Sequence, residues 1–322
     1  MPTDVGHIQS QDVAFGGKWD HAFSEQVNKT NAIRLDHLSL GRSGTFMDDT
    51  PFTNQSYNDR TITATSFNSA LVYRPSDVDS LKAMVSRGLT LPSLTEFGAA
   101  DQYAQPFPIS SPPVQGRVII FGNPDLNVTR NDHYEASYER GLPSLDSALR
   151  ISAYHEDVYE IRDLTINSGV TFYPVLTLTG TFQNVGDASL NGFDLDFKGT
   201  TDRWRWSLNY SYENVRDSVP ALFHVYSKST PRNKANASIG FDAGRWQFDT
   251  FVRYVSSMDM LQQYALTQYQ LYHVKDLTSV SQRVSYEITP KLHAQATTTS
   301  GYADNPIWSE GTSAYFSIVA TY

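Results

Sequence analysis

The chain of 322 residues contains no cysteine, which removes disulfides, thiolate nucleophiles and Cys-ligated zinc from consideration. It has no basic excess either. A formal net charge of −9 argues against nucleic acid as a partner, because phosphates require a cationic surface. No run approaches the roughly 18 apolar residues of a membrane-crossing helix, so any passage through a bilayer must be made by strands. Residues 1–12 are polar and hold no apolar leader core, so the true start of an exported chain is expected further upstream. What the sequence has in quantity is aromatic residues: 13%, with 19 Tyr and 17 Phe.

Those aromatics fall in a pattern of period two. Trp204, Trp206, Leu208, Tyr210 and Tyr212 share one parity, and Arg205, Ser207, Asn209 and Ser211 the other. Side chains of a strand point to opposite faces in turn, so this stretch is a strand with one aromatic and one polar face. Trp and Tyr suit a boundary between hydrocarbon and water. The alternation recurs: Phe193, Leu195 and Phe197 oppose Asp194, Asp196 and Lys198, and Val280, Val284 and Tyr286 oppose Ser281, Arg283 and Ser285. Phe251 is the exception within 245–256, where an apolar residue takes a polar position. About thirteen strands are predicted, near 11–22, 29–40, 63–74, 80–89, 126–139, 146–160, 188–198, 203–215, 233–241, 245–256, 275–287, 291–299 and 313–322. Most have the roughly 9–11 residues needed to cross a bilayer at a tilt.

The connections sort by length. Short turns alternate with long loops near 41–62, 90–125, 161–187, 216–232, 257–274 and 300–312. In an up-and-down barrel every second connection lies on the same rim, so one rim carries turns and the other loops. The fold class is therefore all-β, an antiparallel transmembrane β-barrel. Bacterial single-chain barrels use even strand numbers, so thirteen implies a partial barrel with at least one strand upstream. A soluble β-rich carbohydrate-binding module is a competing reading, in which the aromatic faces pack against a second sheet.

Three segments then carry a resemblance. Arg87 to Gly98 reads RGLTLPSLTEFG, Gly122 to Leu126 reads GNPDL, and Asn184 to Phe197 reads NVGDASLNGFDLDF. In this order and spacing the chain resembles the C-terminal barrel of TonB-dependent outer-membrane receptors, over about 13–322. The resemblance implies a barrel of about 22 strands around an N-terminal plug. Neither the plug nor a signal peptide is in this chain, so 1–322 reads as the C-terminal portion of such a barrel. It also implies a Gram-negative outer-membrane location and import of a scarce nutrient such as a ferric siderophore. The implied partners are outer-membrane lipid, the TonB system through the plug, and the barrel assembly machinery through the terminal strand. A passive porin-like channel is the alternative from a different class.

An enzyme is not expected, since no G-x-S-x-G elbow, H-E-x-x-H pair or Walker loop occurs. No cofactor or metal is expected. Asp20-His21 and Asp36-His37 are neighbours on strands and so face opposite ways, and Met258-Asp259-Met260 reads as an ordinary loop segment. Lumen-facing, plug-contacting candidates are Arg74, Lys82, Arg150, Asp194, Asp196, Arg205, Asp249, Arg253 and Arg283. Their mixed signs suit a wall that hydrogen-bonds a plug, or equally one that solvates a water-filled interior, rather than an ion-selective pore. Ligand-contact candidates are the loop aromatics Tyr103, Phe107, Phe172, Tyr173, Phe223, Tyr226, Tyr264, Tyr269 and Tyr272.

One register is also predicted. Phe197 pairs with Trp204, Leu195 with Trp206 and Phe193 with Leu208 around a four-residue turn, which sets Asp196 opposite Arg205.

Overall fold

The computed structural model describes residues 6–45, 50–107, 112–171, 175–220, 226–265, 268–302 and 312–320. The chain forms strands β1 (His7–Ala22), β2 (Val27–Ser43), β3 (Thr61–Tyr73), β4 (Asp79–Thr90), β5 (Ala100–Phe107) and β6 (Val114–Phe121). It continues with β7 (Thr129–Leu142), β8 (Ser147–Thr171), β9 (Leu176–Thr200), β10 (Trp204–Asp217), β11 (Asn233–Ala243) and β12 (Trp246–Val255). The last are β13 (Met258–Ala265), β14 (Gln268–Val274), β15 (Leu277–Thr289), β16 (Leu292–Tyr302) and β17 (Ser313–Ala320). Among the described residues three short helices lie in the long connections: α1 (Asn54–Asn58), α2 (Leu94–Gly98) and α3 (Tyr226–Ser229).

The main sheet runs β1-β2-β3-β4-β7-β8-β9-β10-β11-β12-β15-β16-β17, thirteen strands in chain order with two hairpins left off the path. Each neighbouring pair on it is antiparallel, so β1 and β17 run in the same direction. Among the described residues each of these two strands pairs on one side only.

Among the described residues the apolar face has no second sheet against it. Trp204, Leu208, Ile239, Trp246, Phe248 and Val252 all share it and stay exposed, which inverts the arrangement of a soluble sandwich. At its turn end Trp204 lies 4.6 Å from Phe241 and Trp246 4.7 Å from Tyr286, ring centroid to centroid. These aromatics sit beside the short turns, as an interfacial girdle would.

The loops contain more structure than expected. The segment 161–187 is mostly strand: β8 and β9 each run 25 residues and overshoot their neighbours. Leu176, Leu178, Gly180 and Phe182 alternate with Thr177, Thr179 and Thr181, the same period-two signal as elsewhere. Segment 90–125 holds α2 and the β5–β6 hairpin, and β6 pairs parallel with the extension of β9. Segment 257–274 is the β13–β14 hairpin.

The predicted register is corrected by four residues. Phe197 pairs with Leu208, Leu195 with Tyr210 and Phe193 with Tyr212. Two features set it. The turn is tight, with Thr201 N–H donating to Trp204 O at 2.7 Å, which leaves Asp202 and Arg203 as its centre. Gly199 stands opposite Trp206, and a Cβ there would lie 2.7 Å from the indole, so glycine gives that ring its place. An even slip preserves parity. Leu208 stays on the apolar face, and Ser207 stays on the polar face, 2.7 Å from the Ser238 hydroxyl.

Candidate functional site

The polar face is the candidate site, and its chemistry begins with charged residues set opposite one another by the ladder. Asp249 is 7% exposed and takes bonds from two arginines, Arg205 Nη2 at 2.9 Å and Arg283 Nη2 at 2.7 Å. Arg205 also pairs with Asp242. Gly240 leaves room for this, since a Cβ there would meet the Asp249 carboxylate at 2.5 Å. Phe251, the parity exception, lies on this face with its ring centroid 5.7 Å from the Arg283 guanidinium carbon. The ring therefore packs against the cation of the Arg283–Asp249 pair.

A second group links β4, β7 and β8. Glu135 lies 3.5 Å from Lys82 Nζ and accepts from Arg150 Nη2 at 3.1 Å. Glu156 accepts from Asn131 at 2.7 Å and lies 3.4 Å from His133. Further along, Ser211 donates to Asp194 and Asn209 to Asp196. Asp196 therefore meets Asn209, and the expected Asp196–Arg205 pair is replaced, because the four-residue slip sets Arg205 opposite Thr200. Arg253 lies on the same face and is exposed. Arg74 lies just beyond β3 in the turn, its N–H bonded to Gln26 O at 2.8 Å, so no ladder sets its direction. Asp36 joins Arg34 on the polar face, whereas His37 meets Thr63 on the other, as alternation requires.

The three motif segments meet in space. Arg162, 6% exposed, donates to Glu96 Oε1 at 2.9 Å, to Thr90 O at 2.8 Å and to Thr129 Oγ1 at 3.0 Å. Glu96 in turn caps α2: its carboxylate accepts from Ser93 N–H at 2.7 Å, and Ser93 Oγ accepts from Glu96 N–H. Burial pushes the Glu96 carboxyl up, but the bonds from Ser93 and Arg162 outweigh it and hold it below the ordinary value. Asn123 N–H of GNPDL bonds Glu96 O at 2.9 Å, and Asn184 Oδ1 accepts from Asn127 N–H at 2.9 Å. Phe97 and Leu126 are fully buried beneath this junction with Leu38, Leu40 and Ile62. In the same cluster burial pushes the Tyr57 hydroxyl up to about 12. Sequence reasoning missed Arg162, which stands where a loop was expected and whose partners are mostly backbone carbonyls.

The loop aromatics separate. Tyr103 is exposed on β5. Phe107 is corrected: it is 7% exposed and packs in a core with Val118, Leu176 and Leu178, so its ring is not free for a ligand. Tyr272 is half-buried on β14. Tyr226 lines a pocket between α3 and the strands β8 to β10. Phe172, Tyr173 and Phe223 lie outside the described residues, as do the side chains of Tyr264 and Tyr269.

The family profile described as TonB dependent receptor-like, beta-barrel, matches residues 5–305. No curated protein matches the sequence. Solved structures share the fold. The copper transporter OprC is 15% identical with a TM-score of 0.64, over 90% of this chain and 42% of that one. The FrpB iron transporter from Neisseria meningitidis is 11% identical with a TM-score of 0.63, over 91% of this chain and 41% of that one. The ferric-catecholate import receptor Fiu from K12 E. coli is 12% identical with a TM-score of 0.63, over 91% and 40%. The chain spans well under half the length of each of these proteins.

Proposed function

The chain belongs to the TonB-dependent receptor-like β-barrel family, and from that membership we propose that it is the C-terminal part of the barrel of an outer-membrane receptor importing a scarce nutrient. The inverted faces carry this reading: an exposed apolar face with aromatics beside the short turns suits lipid, and a charged inner face suits contact with a plug. The similar structures include iron and copper transporters, which favours a ferric siderophore or another metal complex as cargo. No bond in the cargo need be made or broken. Lipid surrounds the apolar face, TonB acts through the plug of the whole protein, and the assembly machinery reads the terminal strand, where Phe316 and Ile318 are exposed.

The test is uptake by iron-starved cells carrying the whole protein, offered hydroxamate and catecholate ferric siderophores in turn. Uptake of at least one should collapse when a protonophore dissipates the proton-motive force. Uptake unchanged by the protonophore would overturn the reading in favour of passive diffusion.

A further inference from the structure

The polar face changes character toward the long-connection end of β8, β9 and β10. Val158 lies opposite Ala188, and Leu190 opposite both Glu156 and Val215, so the ladder gathers an apolar patch there. With Ile161 and, from α3, Tyr226, these residues line a pocket of about 390 Å³ whose edge carries Glu96, Arg162, Thr129 and Thr230. The charges around it are not balanced. Arg162 is committed to Glu96 and to backbone carbonyls. Glu156 faces Asn131 and His133, with no lysine or arginine ion pair among the described residues. Asp217, cross-strand from Ala188, holds the Ser227 N–H. Burial raises the Tyr226 hydroxyl, and Asp163 and Asp217 raise it further. Lys228 and Arg232 line a different pocket beside Met258 and His273.

We propose that this pocket is a subsite for an apolar, positively charged group of the ligand, such as an aryl- or alkylammonium. The apolar floor supplies affinity by burial, and the carboxylates select the sign of charge. An anionic catecholate would meet repulsion there. The proposal rests on the uptake reading for the origin of the ligand, but its test does not need transport.

The full chain in phosphatidylcholine nanodiscs is titrated with 1-naphthylmethylammonium and with 1-naphthalenesulfonate, which share a ring and differ in charge. The cation should bind about tenfold more tightly than the anion, and Glu156→Gln should remove most of that difference. Asp217→Asn should act in the same direction. Ala188→Phe, which fills the pocket, should abolish binding of the cation. Equal binding of the two probes, no binding of either, or cation binding unaffected by Ala188→Phe would each overturn the proposal. Protonophore-insensitive uptake beside intact cation selectivity would sink the uptake reading and leave the subsite standing.

Discussion

Position 208 shows how far parity alone reaches. Leu208 is 39% exposed on the apolar face, while Ser207 beside it bonds Ser238 on the polar face. Replacing Leu208 by arginine should cost about 2–4 kcal/mol in a bilayer if the site is near the midplane, and Ser207→Arg far less. Denaturant titration of the two variants in lipid vesicles checks this, and equal costs would contradict the assignment of faces. Glu96 gives a pH dependence. Its folded carboxyl lies below the ordinary 4.5, so its stabilisation is present above that value and lost as pH falls through the folded one. Hydrogen exchange at α2, corrected for intrinsic rates, should therefore speed up on acidification below pH 4.5, and Glu96→Gln should abolish the response. Which face Leu208 takes was legible because neighbours in sequence settle it. The role of Arg162 was not, because its partners lie 33–72 residues away and are chiefly backbone atoms.

Among elements, strand positions could be read and strand register could not. Alternation of Phe193, Leu195 and Phe197 against Asp194 and Asp196 identifies the strand and its faces. Register depends on a turn and on the fit of Trp206 over Gly199, which no periodicity reports. A cysteine pair replacing Phe197 and Leu208 should cross-link under mild oxidation, and one replacing Phe197 and Trp204 should not. The reverse would restore the four-residue turn. The overshoot of β8 and β9 was legible in Leu176 to Phe182, although the predicted strands stop at 160 and resume at 188. Burial of Phe107 followed from that same extension, since its partners Leu176 and Leu178 belong to it.

For the whole molecule, the rim with short turns and the rim with long connections should lie on opposite sides of the membrane. A cysteine at Tyr103 in the intact protein should react with an impermeant reagent on whole cells, and one at Ala243 should react only after permeabilisation. Labelling in the opposite sense would reverse the rims. The parallel contact of β6 with β9 also bears on how this sheet forms in time. Pairing along the path joins strands that follow one another or are separated by a single hairpin, so it can advance as each new strand arrives. The β6–β9 contact bridges about sixty positions, Gly116 to Leu176, and cannot close until β7 and β8 are in place. Loop-closure entropy makes so distant a contact slow. The rim it fastens is therefore expected to become rigid only after the β7–β9 strands that frame it.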